Sequence, residues 1–150
     1  MITKVIFFIG LLMLALVSTT VIYAETVNVG NSSFSLPEGF AVYSTKGDQV
    51  ALLNGNTTAI RVYNNESHYD VEVLKEYRLK LGYTLTGEDD YDFEGIKINQ
   101  QNYTKDNTTT ALYTFTKHDK FYMIAVSVLN GYSVLNDYDN AVNEIIQSLK

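Results

Sequence analysis

The sequence predicts an α+β domain: an antiparallel β-sheet that carries two helices. Three observations predict it. From Thr26 onward, apolar and polar residues alternate at period two in short runs. Turn residues such as Asn54-Gly55, Glu94-Gly95 and His118-Asp119 separate runs close enough to pair as hairpins. Twice, near 67–81 and 138–149, the period lengthens to that of a helix.

Taken in order, Thr26 to Val29 and Phe34 to Leu36 read as short strands joined by a turn at Gly30-Asn31. Pro37-Glu38-Gly39 breaks the chain before a strand from Phe40 to Ser44. Lys46-Gly47-Asp48 turns into Val50 to Leu53, and Asn54-Gly55-Asn56 into Thr57 to Tyr63, where Thr58, Ile60 and Val62 share a face. Ser67 and Asp70 have capping-box spacing, and Val73, Leu74, Tyr77 and Leu81 line one helical face before Gly82 ends the helix. Further strands are predicted at Tyr83 to Thr86, Tyr91 to Phe93, Ile96 to Tyr103, Thr109 to Thr116 and Phe121 to Leu129, the last burying Tyr122, Ile124, Val126 and Val128. The closing helix places Tyr138, Ala141, Val142, Ile145, Ile146 and Leu149 on one stripe. Asn136 or Asp137 is its expected cap, with Lys150 at its negative end.

The 150 residues include no cysteine, which excludes disulfides, zinc-thiolate sites and thiol nucleophiles. Residues 25–150 form one domain on this reading, long enough to bury roughly two-thirds of the unfolded chain's surface without a metal or covalent staple. The formal charge of −6 argues against a nucleic-acid partner, because phosphate binding needs a basic face.

Residues 1–24 read as a signal peptide or an uncleaved signal anchor. Lys4 precedes an apolar run from Val5 to Val17, and Ala24 stands where signal peptidase would cut. The uncharged stretch 5–24 also matches the about 20 residues that span a bilayer. Both readings leave Lys4 inside and export the domain, with membrane contact only through this segment if it is uncleaved. Asn-x-Ser/Thr sequons at Asn31, Asn56, Asn65, Asn102 and Asn107, in or beside expected turns and strand ends, fit an exported chain as glycosylation candidates.

The segment Phe34-Ser35-Leu36-Pro37-Glu38-Gly39-Phe40, the central helix followed by Asp92-Phe93-Glu94-Gly95-Ile96-Lys97 and a long hairpin, and the closing strand with Ile145-Ile146-Gln147-Ser148-Leu149-Lys150 together resemble the PsbP/Mog1/DcrB-like superfamily, including its small exported archaeal and bacterial members. The resemblance covers most of 32–150. It implies an antiparallel sheet flanked by helices and a non-enzymatic role as an accessory, assembly or binding subunit. No catalytic residues come with it.

The most site-like run is Glu88 to Gly95. Asp90, Asp92 and Glu94 fall at positions 1, 3 and 5 of an EF-hand-like loop, with Gly95 at 6, a spacing of oxygen ligands that suits weak calcium binding. Position 12 is Gln101 rather than glutamate, and Tyr91 and Phe93 alternate with the acids. The run therefore equally describes a strand with aromatic residues inward and carboxylates in water. His68 reads as an exposed first-turn residue and His118 as part of a hairpin tip; their separation matches no metal motif. No Gly-x-Ser-x-Gly elbow or phosphate-cradling glycine loop occurs. Tyr63, Tyr77, Tyr91, Tyr113, Tyr122 and Tyr138 read as core or sheet-face residues, and Tyr43, Tyr69, Tyr103 and Tyr132 as candidates for a recognition surface.

These features favour an exported, non-catalytic binding or accessory module of the cell envelope. It would need no cofactor and would recognise an envelope or surface protein or polymer. The alternatives are a small envelope hydrolase using carboxylates of 88–94 and a weakly calcium-dependent adhesive domain.

Overall fold

The computed structural model describes residues 24–65, 68 and 70–150. The expected leader, apart from Ala24, lies outside the described residues, as do Ser67 and Tyr69. The elements follow the order β1 (Thr26–Val29), β2 (Ser32–Ser35), β3 (Ala41–Lys46), β4 (Gln49–Asn54), β5 (Thr58–Asn65), α1 (Val71–Lys80), β6 (Thr84–Phe93), β7 (Ile96–Lys105), β8 (Thr108–Lys117) and β9 (Lys120–Leu129). A 3-10 turn (Leu135–Tyr138) then leads into α2 (Asp139–Ser148). Strands β3 to β9 form one antiparallel sheet in the order β3-β4-β5-β9-β8-β7-β6, and β1 and β2 pair as a separate hairpin.

The sheet is covered on both faces, and the two faces differ. On the first, Ile60, Val62, Tyr122, Ile124, Val126 and Val128 bury against Val27, Val29 and Phe34 of the hairpin and Val142, Ile145, Ile146 and Leu149 at the C-terminal end. Strand alternation and the helical stripe both point into this cluster, as their periods require. The chain end is tied in as well: the Lys150 amide donates to the Ser33 carbonyl at 3.0 Å, and the Ser33 amide to the Lys150 carbonyl at 3.3 Å.

The expected Lys150 cap of the closing helix is replaced by a lysine from far along the chain. Lys117 Nζ donates to the carbonyls of Ile146 and Gln147 at 2.7 and 2.8 Å. These are orphan acceptors of the last turn, where a cation is also favoured by the helix dipole. At the other end neither Asn136 nor Asp137 caps α2. Tyr138 is its first flanking residue, and Asp137 instead accepts the Val134 amide at 3.2 Å to start the 3-10 turn.

The second face carries α1, and here the structure departs most from expectation. Asp70 rather than Ser67 is the observed cap, accepting the Glu72 amide at 2.8 Å. Gly82 does end the helix with a φ of 87°, as expected. The apolar stripe, however, faces water: Val73 is 59% exposed, Tyr77 61% and Leu81 45%, so Tyr77 is not a core residue. Val71, Leu74, Lys75 and Arg78 face the sheet instead.

The sheet beneath explains this orientation. The Arg78 guanidinium lies 5.1 Å from the Tyr83 ring centre and 5.8 Å from that of Tyr103, an arrangement that favours a cation over an aliphatic chain. Lys75 Nζ reaches Glu72 and Glu88, each at 2.8 Å. Gln101, which is fully buried, donates to the Val71 carbonyl at 3.3 Å.

No residue of α1 is fully buried. Its amides are therefore expected to exchange with solvent roughly a hundredfold or more faster than those of β8, β9 and α2, measured by native-state hydrogen exchange. Lys75→Met should speed α1 further and leave α2 unchanged. The Lys75 hydrogen bond holds the Glu88 carboxyl below its ordinary 4.5. The Lys75–Glu88 pair is accordingly complete at neutral pH and is lost as pH falls through that depressed value.

Candidate functional site

Between the N-terminal end of α1 and the outer strands β6 and β7, the second face opens into a groove of about 850 Å³. Its position follows from the strand register. Asp90 on β6 pairs with Asn99 on β7, Asn99 with Thr114 on β8, and Thr114 with Met123 on β9. A polar row thus crosses three strands before it meets an apolar residue. Asp92 and Lys97, paired across β6 and β7, form the next row outward. Val71 and Phe121 supply apolar wall, and exposed His68 lies at the rim with its ring 5.6 Å from that of Phe121.

The hydrogen bonding of the row is lopsided. Asn99 Nδ2 donates to Asp90 Oδ1 at 2.9 Å and to Glu88 Oε1 at 3.3 Å. Its Oδ1 and the Oγ1 of Thr114 are buried, and neither has a hydrogen-bond partner among the described residues. Deeper under α1 the polar groups are satisfied: Tyr103 donates to Gln101 at 2.7 Å, and Gln101 to Glu88 at 3.3 Å. Tyr103 is therefore a core residue and does not belong to a recognition surface. Tyr43 and Tyr132 are exposed.

The acidic run is not a loop. Glu88 to Phe93 lie within one extended strand, β6, where two expected strands and an intervening turn are continuous. Asp90 and Asp92 share the groove, whereas Glu94 sits in the β6–β7 turn with a φ of 50° and accepts from Gln147 Nε2 at 2.7 Å. Among the described residues no group of three or more histidine, cysteine or acidic side chains is gathered as a metal would require.

Within the run, Glu88 is paired with Lys75 at 2.8 Å. A carboxylate that burial pushes upward is found on the opposite face. There Asp139, with Tyr91 and Tyr113, whose phenols are also pushed up by burial, borders a recess of about 230 Å³ beside α2. His118 and Asp119 are exposed at the β8–β9 tip, both at positive φ.

Of the sequons, Asn56 and Asn107 stand in exposed turns. Asn31 accepts from Asn64 Nδ2 at 2.9 Å, and Asn65 ends β5, half-buried. Asn102 lies inside β7, where its side chain accepts from Gln100 at 3.1 Å.

No protein-family model matches the chain, and no curated protein sequence does. Solved structures do. The fold is similar to that of cyanobacterial PsbP (CyanoP) from Synechocystis sp. PCC 6803, with a TM-score of 0.59 and 13% identity, covering 87% of this chain and 95% of that one. It is also similar to the Saccharomyces cerevisiae Ran-binding protein Mog1p, with a TM-score of 0.50 and 10% identity, covering 85% and 96%. The chain therefore has a PsbP/Mog1-like α+β fold, as its sequence motifs suggested.

Proposed function

We propose that this protein is an exported, non-catalytic binding or accessory module of the cell envelope that acts by surface recognition of an envelope protein or surface polymer. The observation that carries this reading is the outward stripe of α1. Val73, Tyr77 and Leu81 are apolar, adjacent at helical spacing, and largely exposed on a helix whose inner side is cationic. A tyrosine flanked by aliphatic residues is a common anchor at protein interfaces, where aromatic contacts dominate the binding energy. Mog1p, a protein of the same fold, is described as Ran-binding.

Residues 1–24 act as leader or anchor in this reading, and Asn56 and Asn107 are the sequons best placed to carry glycans. In the hydrolase alternative, Asp90 and Asp92 are the candidate pair, because Glu88 is held by Lys75 and Glu94 by Gln147.

The test is the Val73→Ser/Tyr77→Ser/Leu81→Ser variant of the full chain, expressed in its own cells and chemically crosslinked. Exposed positions tolerate such changes, so the melting temperature should stay within a few degrees. The principal crosslinked partner should disappear. Retention of that partner by the folded variant would refute the assignment of this surface.

A further inference from the structure

We propose that the recess beside the start of α2 is a binding site for a primary ammonium group on a short alkyl stem. It lies on the other face of the sheet from α1, so it goes beyond the α1 surface and does not depend on it.

Tyr113, on β8, is 3% exposed and lines the recess. Its hydroxyl has no hydrogen-bond partner among the described residues, yet it is not sealed from solvent as Asn99 Oδ1 and Thr114 Oγ1 are. Buried tyrosine hydroxyls usually find a partner, so an open and unpaired one points to a group that enters from outside. Tyr91, half-buried on β6, likewise leaves its hydroxyl unpaired among the described residues.

The surroundings set the sign of that group's charge. Asp139 borders the recess, and no lysine, arginine or histidine does among the described residues. Burial pushes the Asp139 carboxyl above its ordinary 3.8, as it does for a carboxylate with no cation beside it. The Tyr91 phenol is pushed up by burial and then by the charges of Asp139 and Asp89, which puts both carboxylates within electrostatic reach. Burial and then the same Asp139 charge act on Tyr113. Lys117 is held at the other end of α2. The recess therefore repels anions and attracts a cation.

The walls narrow the class. Tyr91 and Phe93, alternate residues of β6, stand on one face ~7 Å apart. With Tyr113 they supply three rings, none engaged by another aromatic ring or a cation among the described residues. Ring faces attract ammonium groups. A metal ion fits badly, because calcium takes about six to eight oxygen ligands and no acidic group of three or more is gathered among the described residues. An ammonium with N–H bonds can donate to the Tyr113 hydroxyl oxygen and to the Asp139 carboxylate, which a quaternary ammonium cannot. A recess of about 230 Å³ suits such a head and short stem, being smaller than the ~300–1,000 Å³ of sites for larger ligands.

The test uses the isotope-labelled full chain in a nonionic detergent and phosphate buffer. It is titrated with n-butylammonium chloride at constant ionic strength while amide NMR shifts are followed. Saturable shifts should centre on Tyr91, Phe93, Tyr113 and the segment 139–143, with a Kd of about millimolar for so small a ligand. Tetramethylammonium, which has no N–H, and sodium butyrate, of opposite charge, should bind at least about tenfold more weakly. Asp139→Asn, at an exposed position, should keep the melting temperature within a few degrees and weaken n-butylammonium binding about tenfold. Tyr113→Phe removes only an unpaired hydroxyl, so it should fold as well as the parent and weaken binding about fivefold.

Absence of saturable shifts with n-butylammonium would overturn the proposal. So would unchanged affinity in Asp139→Asn, or equal binding of butyrate. Nα-acetyl-lysine methylamide separates the sources of the amine: tighter binding than n-butylammonium assigns the site to a lysine side chain, and equal or weaker binding to a free alkylamine. Neither variant touches the α1 stripe, so the crosslinking result for that surface stands or falls separately.

Discussion

Ile146→Ala is expected to destabilise the domain by about 2–5 kcal/mol, the range for truncating a fully buried aliphatic side chain to alanine. Ile146 is fully buried with Val142, Ile145 and Leu149 in the cluster that joins α2 to the sheet and the β1–β2 hairpin. That helix ends on Lys117 and on the Lys150–Ser33 backbone pair, so it cannot slide to fill the hole. Small domains are stable by only about 5–15 kcal/mol, and the loss should appear as a large fall in the urea midpoint. Val73→Ala in α1, at an exposed position, should change stability by no more than about 0.5 kcal/mol. Equal costs for the two would contradict the assignment of inner and outer helices.

Asn64→Ala should have the second largest effect, about 1–3 kcal/mol, the cost of leaving buried backbone and side-chain groups unpaired. Asn64 is a buried amide on β5, and its Nδ2 lies 3.2 Å from the Val29 carbonyl, 2.9 Å from Asn31 Oδ1 and 3.1 Å from Ser32 Oγ. It therefore ties the β1–β2 turn to the main sheet. Ser32 continues the network to Tyr122 at 2.7 Å and Lys120 at 3.0 Å. Gly30 leaves room for it: a Cβ there would stand 3.2 Å from Asn64 Nδ2, on a backbone with φ of 57°. Hydrogen exchange in the variant should accelerate first at β1 and β2. Acceleration in α1 instead would show that the hairpin is held by other contacts.

Much of the fold was legible because it rests on local periodicity. The α2 stripe, the inward face of β9 and the turn pairs all follow from spacing alone. What could not be read depends on what lies opposite. In α1 the apolar residues split between Leu74 and Val71, which face the sheet, and Val73, Tyr77 and Leu81, which do not. Only the rings and carboxylate beneath Arg78 and Lys75 decide between them.

The sequence divides strand β6 into two pieces because its carboxylates interrupt the alternation. At the edge of a sheet such charges stand in water and protect the edge from pairing with another chain. Lys117 and Asn64 act across long stretches of sequence, and no spacing announces them. The acids of the groove were legible as Asp90 and Asp92. Its floor was not, although the polar run Asn99-Gln100-Gln101-Asn102 inside an otherwise hairpin-like segment was a usable sign.

Recognition of a partner by the outward face of α1 can be read by placing a photo-crosslinking residue at position 77 of the full chain in its own cells. Positions 43 and 132, tyrosines somewhat more open to solvent on other parts of the surface, serve as comparisons. One dominant adduct is expected from position 77 and none like it from 43 or 132. An adduct from 43 or 132 with none from 77 would contradict it.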